Sequence, residues 1–416
     1  MINIRTLDCG VRVITDRTDY LQSAAIGIWV KAGSVDEEDR YAGVSHFIEH
    51  MMFKGTKNRT AKQIADDMDK LGSQFNAFTS KEATCYYAKT ISSNLIKSTE
   101  ILLDMLTESL FDKHEMTRER QVICEEIKMT QDSPEENVHD MISEAVNRGN
   151  PLGRSIIGTP TSLKRISRNV LVDYIDKEYT RDSIVVAIAG NFDEDEICSF
   201  LEGRLKRFSP TKEKKNHQII PYTPAFRTKV KDIEQAHFFL GTESVTMTDD
   251  EYYAVTVLGN ILGGSMSSRL FQSVRERKGL AYSVYSFNAS ASMAGAFYIY
   301  AGVSHDNLRK AIEAVKEELL ILGREGVTKE ELSKAKEQLK ANFIFGQENV
   351  ASKMFSLGKS LILTDNVKTD SEVLEKIDSI TMDEINKTAV KFADPLKYSA
   401  AAITNRRFDI KKVMQG

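Results

Sequence analysis

Apolar residues alternate with polar ones, or recur at helical spacing, in one recognisable order along the N-terminal half. The first residues, Met1–Asp8, read directly as a strand, and period-two patterning predicts further strands at Gly10–Thr15 and Ala24–Lys31. Helices follow at Gly43–Phe53 and Ala61–Leu71, then strands at Gln74–Phe78 and Thr84–Thr90. Helical spacing returns at Asn94–Leu110, Arg118–Met129 and Glu136–Val146, and an apolar strand closes the half at Ser183–Gly190.

Much of that order repeats. A strand at Gln235–Gly241 leads to helices at Glu251–Leu262 and Ser268–Arg277, strands at Tyr282–Ala289 and Ala296–Gly302, and an amphipathic helix at Asn307–Leu322. Ser93-Asn94-Leu95-Ile96-Lys97 is answered by Asp306-Asn307-Leu308-Arg309-Lys310. Thr117-Arg118-Glu119 is answered by Thr328-Lys329-Glu330, each threonine placed to cap a long helix. Between the halves, Phe208–Phe226 is lysine-rich and holds three of the seven prolines, the mark of a linker. The expectation is an α+β protein built by internal duplication: residues 1–208, a linker at 209–226, and a homologous domain at 227–416.

Composition narrows the class. A chain of 416 residues with 41% hydrophobic and 28% charged residues suits two globular cores. A net charge of −4 gives no basic surface for nucleic acid. No apolar run reaches the length of a membrane span. Cys9, Cys85, Cys124 and Cys198 lack disulfide-framework or metal spacing, so reduced thiols are expected. With no secretory signal at the start, the expected compartment is the cytoplasm, the alternative being an organelle matrix after presequence removal.

The chemistry concentrates in Gly43-Val44-Ser45-His46-Phe47-Ile48-Glu49-His50. On a helix, His46 and His50 are one turn apart and share a face, the spacing that lets two imidazoles hold one zinc ion. Glu49 stands beside them, where a base for a zinc-activated water belongs, and H-x-x-E-H is the inverted zinc-peptidase motif. A third ligand is required. Glu126 is the candidate, two turns after Glu119 on one apolar face, with Glu119 as a supporting carboxylate; Glu125 is hard to tell from Glu126 by spacing alone. In the second half, Glu251–Leu262 stands where the histidine helix should be and has no histidine.

Together with Gly72-Ser73-Gln74-Phe75-Asn76-Ala77-Phe78-Thr79, Leu262-Gly263-Gly264-Ser265 and Arg275–Tyr282, these residues resemble the pitrilysin/insulinase family of zinc peptidases, in particular its half-length branch related to mitochondrial processing peptidase. The resemblance implies two α/β sandwich-like domains, each a mainly antiparallel sheet with helices packed on one face. It implies one Zn2+ per chain on His46, His50 and Glu126, with Glu49 as base and Glu119 in support. Asn76, Ala77 and Phe78 would lie on an edge strand to which an extended peptide adds, with Gly263 and Gly264 bordering the chamber. Arg275 and Tyr282 would contact the substrate and its oxyanion. Because the family's chamber uses four such domains, a homodimer with the site completed in trans is expected. The rival expectations are a peptide-binding scaffold and a catalytic subunit that needs a different partner chain.

Overall fold

A computed structural model describes residues 2–211 and 220–416, and in it the repeat becomes two sheets of matching order. The first half supplies β1 (Ile2–Thr6), β2 (Arg12–Arg17), β3 (Ser23–Val30), β4 (Gln74–Thr79), β5 (Thr84–Ile91) and β6 (Ile184–Gly190). The second supplies β7 (Phe226–Val230), β8 (Ala236–Ser244), β9 (Ala281–Ser290), β10 (Gly295–Val303) and β11 (Ser399–Thr404). The sheets run β1-β2-β6-β3-β5-β4 and β7-β11-β8-β10-β9. Without β1, the two orders superimpose strand for strand. The pairing sense agrees too: β2–β6 and β7–β11 are parallel, and every other neighbour is antiparallel.

The predicted echoes mark equivalent places. Ser92–Asn94 and His305–Asn307 are single tight turns, each followed by a helix starting at the leucine, Leu95–Glu108 and Leu308–Glu325. The threonine echo is only half structural. Thr328 caps its helix, accepting the Glu331 N–H at 3.2 Å. Thr117 does not: its helix, Lys113–Asp132, starts a turn earlier, under the Asp112 carboxylate, which accepts the N–H groups of His114 and Glu115. Residues 212–219 of the expected linker lie outside the described residues, and Phe226 already belongs to β7.

Central strands show why they read as unbroken apolar runs. In β6, Ile184, Val186 and Ile188 enter one core while Val185, Ala187 and Ala189 enter another, so both faces are buried. The larger core of the first sheet lies under the helices of its own half. The opposite face is covered by the helix Val350–Thr364, which comes from the other half of the chain and buries Val350, Met354, Leu357, Leu361 and Ile362. At about 2 kcal/mol for each buried side chain, that face contributes roughly 10 kcal/mol. The exchange is reciprocal: Pro134–Val146 crosses to the second sheet and buries Val138, Ile142, Ala145 and Val146 against Phe239, Tyr298 and Tyr300.

The two compact units therefore depart from the boundaries expected at 208 and 227. One holds residues up to Ile127, Arg154 to the linker, and Ile344–Val367; the other holds Lys128–Gly153, the linker to Phe343, and Lys368–Gly416. Apolar coverage of each sheet's second face is the physical reason. Among the described residues no helix is long and apolar enough to cross a membrane, and the four cysteines are free thiols.

Candidate metal centre

The histidine helix, Val44–Met52, begins where a side-chain cap is impossible. Gly43 has φ 91°, and a Cβ there would meet the Ile157 carbonyl oxygen at 2.8 Å, so only glycine fits and no side chain is available to cap. Glu37 supplies the cap from the preceding loop. Its buried carboxylate accepts the Gly43 N–H at 2.7 Å and the Ser45 N–H at 2.9 Å. Burial pushes its pKa up to about 7, with those two hydrogen bonds pulling the other way. Ser45 is tied again through its hydroxyl to Tyr174 at 2.9 Å. The first turn, and His46 with it, is thereby fixed.

His46 and His50 stack edge to face with ring centres 4.6 Å apart. Glu126 Oε2 lies 3.7 Å from His46 Nε2 and 3.5 Å from His50 Nε2. A tetrahedral ion with bonds of about 2.0–2.1 Å holds its ligands roughly 3.3 Å apart, so the three atoms are spaced for one such ion. Among the described residues these three side chains form a group whose donor atoms all lie within 4.8 Å of one another. Glu125, the alternative that spacing left open, is exposed, whereas Glu126 is half-buried and turned to both imidazoles.

The electrostatics suit a cation. Burial, then the neighbouring His50, lowers the His46 pKa to about 4, leaving a neutral ring with a free lone pair near pH 7. For His50 burial acts downward, yet hydrogen bonds and charges from Glu126 and Glu119 carry its pKa above the usual value. Glu126 is held below the usual carboxylate range by its bond to His50, against the opposing effect of burial. Glu119 is buried and bridges His50 Nδ1 at 3.1 Å and Lys54 Nζ at 2.7 Å. His46 differs from His50 here, since its Nδ1 is buried with no hydrogen-bond partner among the described residues. Two imidazole nitrogens and one carboxylate oxygen, with no fourth protein ligand among the described residues, are the donor set of a site that keeps one position open.

Glu49 stands next to this group. Burial raises its pKa, and Thr79 Oγ1 donates to its Oε2 at 2.6 Å, fixing the carboxylate and opposing that rise. Thr79 ends β4, the strand at the edge of the sheet order. Asn76 is exposed and its Oδ1 accepts the Ala77 N–H at 2.8 Å; Ala77 is buried on the helix side. Phe78 lies on the same edge strand, but its ring turns to the opposite face and packs on Trp29 at 5.5 Å and Phe355 at 5.7 Å. Strand alternation is the reason: Thr79 faces Glu49, so Phe78 faces away.

In the second unit, the predicted helix around Ser268–Arg277 is π-helical over Phe271–Arg277. It holds the Arg275 guanidinium over Phe271 at 4.6 Å and over Tyr282 at 5.4 Å, so the predicted pair is assembled, with Tyr282 76% exposed. Gly263 and Gly264 are explained by packing: a Cβ at Gly263 would meet Ser286 N at 2.3 Å, and one at Gly264 would meet Asn260 Cα at 2.6 Å. The counterpart of the histidine helix, Tyr252–Gly263, buries Ala254, Val257 and Leu258 instead of ligands.

Three contributors escape sequence reasoning. Thr79 shares the period-two face of Phe75 and Ala77, a signal that was present but unassigned. Lys54 lies one turn beyond His50 and Glu37 in an irregular loop, and neither position carries a pattern.

The chain resembles known proteins along most of its length. Residues 12–160 match the family described as Insulinase (Peptidase family M16), and residues 165–339 match the Peptidase M16 inactive domain. The chain is 39% identical over 393 residues to a zinc protease of Bacillus subtilis (strain 168), covering 94% of this chain and 95% of that one. It is 38% identical over 401 residues to a zinc protease of Rickettsia felis, covering 96% of each. Among solved structures, a peptidase M16 inactive domain from Pseudomonas fluorescens superimposes with a TM-score of 0.90 at 17% identity, covering 98% of both chains. A protease from Helicobacter pylori gives 0.87 at 21% identity, covering 97% of this chain and 99% of that one. With relatives this similar along nearly their whole lengths, the chain belongs to the insulinase family of peptidases, family M16.

Proposed function

We propose that this protein is a zinc endopeptidase that cuts extended or unfolded peptides. The observation that carries the reading is the convergence of His46 Nε2, His50 Nε2 and Glu126 Oε2, and the zinc proteases among its relatives support it. One zinc ion per chain on these atoms supplies Lewis acidity, polarising a carbonyl and acidifying water. Glu49, steadied by Thr79, takes the proton from the attacking water and returns it to the leaving amine. Arg275 and Tyr282 meet the developing oxyanion. A peptide adds to the edge of β4 near Asn76 and Ala77, bound mainly through its backbone. Two chains form a homodimer in which each zinc site receives Arg275 and Tyr282 from its partner. The free thiols fit a reducing compartment, the cytoplasm.

The direct test is metal content with cleavage of a mixed library of unfolded peptides. One zinc per chain, loss of cleavage on chelation and recovery on adding zinc are expected. Cleavage that persists without metal, or a chain that binds no zinc, overturns the proposal.

Mixing tests the dimer. Glu49→Gln and Arg275→Ala chains are each expected to be inactive as homodimers. Exchanged at equal amounts, they regain about a quarter of wild-type activity if sites are completed in trans, since half the dimers are mixed and each carries one intact site. A mixture as inactive as its components overturns completion in trans.

A further inference from the structure

Lys54 follows the histidine helix and turns back towards it. Its backbone N–H bonds the Met51 carbonyl at 3.1 Å, one turn past the last ligand-bearing position. Its Nζ lies 2.7 Å from Glu119 Oε1. Glu119 is buried, with its other oxygen 3.1 Å from His50 Nδ1. Each carboxylate oxygen thus has its own partner, and the group cannot rotate without breaking one contact. With Glu119 accepting from Nδ1–H, His50 keeps its lone pair on Nε2, the nitrogen that faces Glu126.

The charges also close. Glu49, Glu119 and Glu126 bring three negative charges; a divalent ion offsets two, and Lys54 offsets the third. We propose that Lys54 is a positioning residue of the metal centre: it clamps Glu119, and through Glu119 it sets the ring orientation and tautomer of His50. The proposal rests on the metal site described above and adds a residue to it.

Full-length protein stripped of metal is titrated with zinc against a competing chelator, for wild type, Lys54→Met, Lys54→Gln and Lys54→Arg. The Lys54 side chain is 30% exposed, so methionine of similar length leaves little cavity. Met and Gln are expected to weaken zinc binding by about 10–100-fold, the usual cost of losing a group behind a ligand. Arg restores most of the affinity. The visible spectrum of the cobalt-loaded protein shifts in Met and Gln and returns in Arg, while zinc-free melting stays the same. Wild-type zinc affinity and cobalt spectrum in both Met and Gln overturn the role of Lys54. So does a fall in zinc-free melting that accounts for the weaker binding. A wild-type chain that binds no zinc overturns the metal centre itself, a failure visible before any variant is made.

Discussion

Glu49→Gln retains zinc and cleaves peptides about 10²–10⁴-fold more slowly than wild type, the usual worth of a positioned general base. Glutamine has the same shape, and its amide oxygen still accepts from Thr79 Oγ1, now 2.6 Å from the carboxylate. What it lacks is the capacity to take a proton. Because the proposed ligands His46, His50 and Glu126 are untouched, metal content stays at the wild-type value. The loss falls on kcat with KM nearly unchanged, since the missing interaction belongs to the transition state. Metal analysis and steady-state kinetics on one preparation check this. An active Glu49→Gln protein removes Glu49 from the mechanism, and a zinc-free one overturns the separation of base from metal binding.

Gly358→Val destabilises the protein by about 3 kcal/mol, at the upper end of what overpacking a core costs. Gly358 lies in the helix Val350–Thr364, and a Cβ there would stand 2.0 Å from Trp29 Nε1 and 2.5 Å from Trp29 Cδ1. The indole is buried and hemmed by Phe78 and Phe355, so it has little room to yield. Gly27 on β3 makes the same allowance from the sheet side, where a Cβ would meet Met354 Sδ at 2.3 Å. Glycine on both surfaces lets the helix lie unusually close to the strand. Trp29 is the one tryptophan of the chain, so its fluorescence in denaturant reports this contact directly. Gly203→Ala is the control: nothing lies within 4 Å of that Cβ, and the exposed helix gains about 0.5–1 kcal/mol. Equal effects from the two substitutions would remove the packing argument.

The histidine pair was legible because its geometry is local: one helical turn separates His46 from His50, a distance that a single element enforces. The carboxylate was not, because it comes from another helix, where spacing alone left Glu125 and Glu126 open. Strands such as Ile184–Gly190 were legible because burial on two faces writes an apolar run. Ser399–Thr404 escaped because three alanines carry little strand signal, although it occupies the matching place between β7 and β8. The exchange of helices escaped for a different reason. Glu136–Val146 reads as a helix, and apolar spacing there or in Val350–Thr364 says that one side is buried, but not which sheet it is buried against. Glu37 is the same problem at the site: its partners, Gly43 and Ser45, are chosen by the path of a loop.

Reciprocal helix exchange also sets a timetable for biosynthesis. The last strand of the first sheet ends at Gly190, but the helix that covers its second face ends at Thr364. At about 5–20 residues per second, the ribosome leaves roughly 10–35 s between the two. Throughout that interval Trp29, Ile14 and Val185 face solvent on a nascent chain whose sheet is otherwise complete. The first sheet therefore cannot complete its second core until the Val350–Thr364 helix has left the tunnel.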